Sequence, residues 1–291
     1  MRGDRVLKVE GVSKKFKNFN LKNIDINLGE GFIMGIIGPN GSGKTTLIKM
    51  IMGLIEIDSG SITLFNKSMK TDYIDIKNDI GFVYDSLEFY EHLKVKDYKN
   101  ICSLFYKNFE SNKFEEHLIK FNISKSSYIK NLSKGESSKL MLANALSHKA
   151  KLLILDEPTA GLDPIVRKEI LGYLQEFIEA GDKSVIISSH NTDEIDKIAD
   201  YITFINNGNQ IFSIDKETLR ERYKIITGNK DQIDRMNKNV VGKRHLKYYS
   251  EALVKIDETL ENYKEIKDMN NDRIKSPNIE ELMYYYVEED K

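Results

Sequence analysis

The sequence predicts an α/β protein that opens on a β subdomain, carries an inserted helical subdomain and ends in a small α+β extension. Three observations predict this. Apolar runs of strand length alternate with helix-period segments from residue 7 to residue 214, a helical stretch occupies about 85–143 between two of the strands, and apolar density falls beyond Asp215. A chain of 291 residues is long enough for one large domain and a smaller one. The boundary is placed between residues 1–214 and 215–291.

Taken in order, Leu7 to Phe16 and Ile24 to Leu28 alternate apolar and polar residues and read as strands. Phe32-Ile33-Met34-Gly35-Ile36-Ile37 is a buried strand, and apolar residues recur at helical spacing from Thr45 to Met52. Ser59-Gly60 turns the chain into the strand Ser61 to Phe65, and Ile80 to Val83 is another. Within the helical stretch, Val95 to Tyr106 and Phe114 to Phe121 are the candidate helices. Leu152 to Leu155 returns to sheet, and Pro164 suits the first turn of a helix reaching Ile178. Ser184 to Ile187 is a buried strand and Thr192 to Ile198 a short helix. Tyr201 to Ile205 pairs with Gln210 to Ile214 around Asn207-Gly208-Asn209. In the extension, Glu217 to Tyr223, Leu246 to Leu260 and Ile279 to Tyr286 read as alternating short strands and helices. The last is a capped helix with Ile279, Leu282, Met283 and Tyr286 as its packing face.

The balance of 44 basic against 45 acidic side chains leaves a net charge of -1, which gives no global field for steering onto nucleic acid. Cys102 stands alone, so an intrachain disulfide and a cysteine-based zinc site are excluded; a buried small residue is expected. Met1 to Arg5 lack the apolar core of a secretion signal, and no run reaches 18 apolar residues. A soluble protein is expected, linked to a membrane only through a partner.

The chemistry is read from Gly38-Pro39-Asn40-Gly41-Ser42-Gly43-Lys44-Thr45, which matches the GxxxxGK(S/T) pattern directly after a buried strand. Glycines let the backbone curl around phosphates, the amides and the helix N-terminus supply positive potential, and Lys44 adds a full charge. Thr45 offers its hydroxyl to Mg2+, and Thr46 is assigned to the nucleotide with the loop. Asp156 and Glu157 then arrive at the end of a buried strand, where Asp156 holds the magnesium shell and Glu157 polarises the attacking water. His190 follows the strand Val185 to Ser188 and reaches the same sheet edge. His92, His117, His148 and His245 have no such setting.

These motifs in this order resemble the ATP-binding subunits of ATP-binding cassette transporters, over about residues 6–214. The resemblance implies a P-loop cassette ATPase using ATP and Mg2+. It makes Leu132-Ser133-Lys134-Gly135-Glu136 the signature loop, with Ser133 and Gly135 acting on the γ-phosphate, and Gly161-Leu162-Asp163 the D-loop. Phe16 takes the place of an aromatic that stacks on adenine, or is a core aromatic. Asp85 stands where the family has glutamine, and is either a magnesium contact or a surface residue. Lys134 and Glu136 replace Gly and Gln; Lys134 either lies near the triphosphate or faces solvent.

The family implies a dimer with two ATP molecules between opposed loops, and a separate permease docked near Asp85 to His92, with Phe89 and Tyr90 as anchors. The subunit would then sit peripherally at the cytoplasmic face of the membrane. Ile80-Gly81-Phe82-Val83-Tyr84-Asp85, Leu132 to Gly135 and the long extension are similar to bacterial exporters of the bacitracin-resistance and antimicrobial-peptide group. Peptides or hydrophobic antimicrobials would be the cargo. The competing reading is a soluble ATP-dependent switch acting on nucleic acid or ribosomes, which such proteins usually build from two cassettes in one chain; this chain has one. The extension either regulates the dimer or is an independent stabilising appendage.

Overall fold

The computed structural model describes residues 5–84, 90–237, 239–256 and 273–288. The chain divides into two compact units, Met1–Ser213 and Ile214–Lys291.

In the first unit, β1 (Arg5–Lys15), β2 (Asn20–Gly29), β4 (Ser59–Leu64) and β5 (Lys67–Ser68) form an antiparallel wing, and β3 (Ile33–Ile37) runs into α1 (Lys44–Ile51). A short helix that sequence periodicity does not announce, α2 (Tyr73–Asn78), precedes β6 (Ile80–Val83). Then come α3 (Val95–Phe105), α4 (Ser111–Lys120), α5 (Lys134–Leu146), β7 (Leu152–Asp156), α6 (Pro164–Ile178), β8 (Ser184–Ser189), α7 (Thr192–Ile198), β9 (Tyr201–Asn206) and β10 (Asn209–Asp215). Asn207 and Gly208 both take positive φ between β9 and β10, as a two-residue hairpin turn demands.

The ten strands form one sheet in the order β5-β4-β1-β2-β10-β9-β3-β8-β7-β6. β9, β3, β8, β7 and β6 are parallel. Every residue of β3, β7 and β8 is buried, which is why residues 33–37, 152–155 and 185–187 read as apolar runs. Register then places the chemistry. Ile37 pairs with Ser189 and Asp156 with Ser188, so the segments that follow β3, β7 and β8 emerge at one edge. β3 has β8 on one side and β9 on the other, making this edge a switch point where parallel α/β sheets bind ligands.

The helical stretch holds α3, α4 and most of α5, with Val95, Tyr98, Cys102, Phe114 and Leu118 buried. Burial pushes the Cys102 thiol up to about 11, as suits a structural cysteine. Asp85 and Phe89 lie outside the described residues.

The second unit contains α8 (Lys216–Arg222), β11 (Tyr223–Gly228), α9 (Lys230–Arg235), β12 (Val240–His245), β13 (Ser250–Lys255), β14 (Ile274–Lys275) and α10 (Ile279–Glu288). Its antiparallel sheet runs β12-β13-β11-β14. Ile226, Ala252 and Val254 pack with Ile233 of α9. The face of α10 differs from expectation: Ile279, Leu282 and Tyr285 are buried, whereas Met283 and Tyr286 are half-buried. Gly242 explains the choice. A Cβ there would stand 3.1 Å from the Tyr285 ring, so the glycine of β12 makes the notch that the tyrosine fills. Asn278 and Glu281 cap α10 reciprocally. Among the described residues no helix is long and apolar enough to cross a membrane.

Candidate active site

The loop after β3 is shaped by backbone geometry. Gly43 holds φ +116°, and a Cβ there would lie 2.6 Å from Leu21 and 2.8 Å from Phe19; one on Gly38 would lie 2.1 Å from the Ile205 carbonyl. Lys44, only 6% exposed, donates from Nζ to the Gly38 carbonyl (2.9 Å) and the Pro39 carbonyl (3.2 Å). It also pairs with Glu157 Oε1 at 3.4 Å. The buried Ser42 hydroxyl has no hydrogen-bond partner among the described residues. A loop curled by glycines, a buried ammonium and an unpaired hydroxyl suit a ligand rich in oxygen acceptors.

Ser188 organises the neighbouring strand ends. Its hydroxyl donates to Asp156 Oδ1 at 2.7 Å and accepts from the Glu157 amide at 2.9 Å. Thr45 Oγ1 donates to the same Asp156 oxygen at 3.2 Å. These hard oxygens suit Mg2+, which usually takes one or two protein ligands and completes its shell with water and substrate phosphates. Among the described residues no cluster of three metal-ligating side chains occurs.

Glu157 adopts φ +49°, a left-handed conformation that costs a non-glycine residue about 1–3 kcal/mol. The kink turns its carboxylate to His190, whose Nδ1 lies 2.7 Å from Oε2 and whose amide donates to the same oxygen at 3.3 Å. A carboxylate accepts at this contact, so Nδ1 carries the proton.

Asn40, Gly41, Gly43, Lys44, Thr45 and Thr46 line one side of a cavity of about 490 Å³, and Glu157 and His190 the other. Gly38, Pro39, Ser42 and Asp156 are outside its lining. The aromatic at the cavity is Phe19, not Phe16. Phe16 is 36% exposed, with its ring 6.3 Å from that of Phe19 across the turn between β1 and β2. Sequence reading passes over Phe19 because two phenylalanines share that turn. It also misses Ser188, whose signal is a serine pair closing a strand with an apolar centre.

Ser133, Gly135 and Asp163 are not in the lining. Ser133 caps α5, accepting from the Glu136 amide at 3.2 Å while its own amide donates to Glu136 Oε2 at 2.8 Å. Glu136 thus completes a capping box. A Cβ on Gly135 would come within 3.1 Å of Val166 on α6. Lys134 is exposed, and its ammonium lies 3.0 Å from where a Cβ on Gly161 would stand. Asp163 caps α6, accepting from the amides of Ile165 (3.0 Å) and Val166 (3.1 Å).

A phosphate loop at a sheet switch point, with a carboxylate pair and a histidine beside it, defines a nucleoside triphosphatase. The ABC transporter family model matches residues 21–160. The chain is 33% identical over 210 residues to the uncharacterized ABC transporter ATP-binding protein YdbJ of Bacillus subtilis, covering 70% of this chain and 67% of that one. It is 30% identical over 220 residues to the bacitracin transport ATP-binding protein BcrA of Bacillus licheniformis, covering 75% and 72%. Sulfate/thiosulfate and phosphate import ATP-binding proteins are similar at 31% and 33% identity. Among solved structures, cbiO1 from Clostridium perfringens, part of the ABC transporter complex cbiONQ, superposes with TM-score 0.63 and 26% identity over 75% of this chain and 94% of that one. The chain belongs to the ATP-binding subunits of ABC transporters. It binds ATP, and as in its family hydrolysis is coupled to transport by a separate transmembrane component.

Proposed function

We propose that this subunit drives an exporter, and that its permease expels peptides or hydrophobic antimicrobial compounds from the cytoplasmic side of the membrane. The observation that carries the site reading is the meeting of Lys44, Glu157 and His190 at one cavity. Export rests on the similarity to BcrA.

In this reading the amides of residues 38–45 and the Lys44 ammonium hold the triphosphate, and Thr45 and Asp156 hold Mg2+, joined by Asp85. Magnesium, when bound, neutralises charge on the phosphate oxygens. Triphosphate oxygens compete with Glu157 for Lys44, which releases the carboxylate to orient a water and take its proton. His190 steadies that carboxylate and reaches the γ-phosphate. Phe16 and Phe19 together form the adenine-side wall. Two copies pair so that Ser133 and Gly135 of one complete the phosphate-loop cavity of the other. Their position outside the cavity of their own chain supports that pairing. The permease docks near Asp85 to His92. The extension stabilises or regulates the pair.

The test is to assemble the subunit with the membrane protein encoded beside it and measure ATPase activity against added compounds. Stimulation by bacitracin-like or hydrophobic peptides is the expected result. Stimulation by sulfate or phosphate instead would overturn export.

A further inference from the structure

We propose that Glu194 and Arg167 are positioning residues for hydrolysis, clamping the turn that carries Glu157 to the helix that follows His190. The inference rests on the catalytic reading of Glu157 and His190.

Glu194 lies on α7, four residues after His190, and its carboxylate is buried at 4% exposure. Both oxygens are taken by other elements. Thr159 Oγ1 donates to Oε2, and Arg167 Nε forms an ion pair with Oε1 at 2.9 Å, without hydrogen-bond geometry. A terminal nitrogen of Arg167 donates to the Leu162 carbonyl at 3.1 Å. Thr159 and Leu162 belong to the turn between Glu157 and α6, which is closed internally by Ala160 N to Glu157 O and Leu162 N to Thr159 O, each 3.2 Å. One buried carboxylate thus joins α7, the turn and the first turns of α6.

Glu157 needs such an anchor. Its left-handed backbone persists only where the surroundings over-determine it. Ser188 holds the near end through the Glu157 amide, and Glu194 holds the far side through Thr159. Together they set the Glu157–His190 contact. An apolar set of similar volume would hold these elements together as well as a buried ion pair, so the charges at this place argue for orientation. The same helix also touches the signature loop, since Val166, one residue before Arg167, packs at Gly135.

The experiment measures ATPase kcat and KM, equilibrium ATP affinity and thermal unfolding of the full chain for Glu194→Gln, Thr159→Val, Glu157→Gln and the double variant Glu157→Gln/Glu194→Gln. Glu194→Gln is expected to lower kcat by roughly tenfold to a hundredfold while ATP affinity stays at the wild-type value. Thr159→Val, which leaves the ion pair intact, should fall between it and wild type. The double variant should be no slower than Glu157→Gln alone, because the clamp acts through that residue. Wild-type kcat in folded Glu194→Gln, affinity lost in step with kcat, or an additive loss in the double variant would each overturn the clamp. If Glu194→Gln fails to fold, Thr159→Val decides: wild-type kcat there overturns it and reduced kcat at wild-type affinity upholds it. Wild-type turnover in Glu157→Gln would instead defeat the catalytic assignment itself.

Discussion

The phosphate loop is named from its own pattern and the signature loop through the family resemblance, and their side chains live in different circumstances. Lys44 is buried and tied to two carbonyls and a carboxylate, and its neighbours enclose a cavity. Ser133 is exposed, and its hydroxyl is used only inside the cap of its own helix. One loop is a site finished within the chain, whereas the other is stiffened and turned outward. That is the disposition a composite site between two copies requires. Organisation within one chain therefore separates residues gathered at its own cavity from residues turned away from it.

The largest expected effect breaks the finished half. Glu157→Gln should lower single-turnover hydrolysis by about 10²–10⁴-fold while ATP binding persists, the range that general-base catalysis supplies. Unchanged turnover would remove Glu157 from its role. Next in size is the outward half. Ser133→Arg and Lys44→Ala should each abolish most activity alone, and mixing the two should restore part of it, because a mixed pair keeps one intact composite site. No gain on mixing would argue that the two loops never meet across copies.

A smaller effect separates capping from chemistry in the signature loop. Glu136→Ala should cost about 1 kcal/mol of stability, read as a shifted urea midpoint, because it removes half of the capping box. Glu136→Gln keeps an acceptor and should stay near wild type; equal losses in both would show that charge, not capping, matters there.

The smallest effect lies at the far end of α5. His148 is fully buried, with Nδ1 3.1 Å from the Asn144 carbonyl, Nε2 2.9 Å from the Ile80 carbonyl and the Tyr106 ring stacked at 3.8 Å. Burial pushes the imidazole below its ordinary value, outweighing the pull of the two carbonyls and of Asp79. The unfolded ring titrates near 6.5. As pH falls below that value the unfolded state takes a proton that the folded state refuses, so stability drops and levels off beneath the folded pKa. His148→Gln should flatten this acid limb of a urea-midpoint series. A superposable series would show that His148 contributes nothing to it.

The contrast between the two loops also marks how far the sequence reaches. Strand and helix existence was legible from residue 7 to residue 214 because β3, β7 and β8 are buried on both faces and keep apolar centres, while the helices keep a single stripe. Short elements were not. α2, α9 and the two-residue β14 are too brief to display a period, and the turn at residues 246–249 conceals that β12 and β13 are a hairpin.

Lys44, Thr45, Glu157 and His190 could be chosen from sequence because phosphate chemistry demands particular groups at particular strand ends, and that demand is written in local order. Phe19 at the cavity could not be foreseen beside Phe16, nor Tyr285 be told from Tyr286. Each choice depends on which ring a notch elsewhere in the chain admits: Gly43 beside Phe19, Gly242 beneath Tyr285. Ser188 and Glu194 were invisible for the same reason, since their partners lie 31 and 35 residues away. Backbone conformation and functional-group type are short-range properties that a sequence carries by itself. Which polar groups pair when water is excluded is decided only by packing between distant segments, and that pairing holds Glu157 against His190.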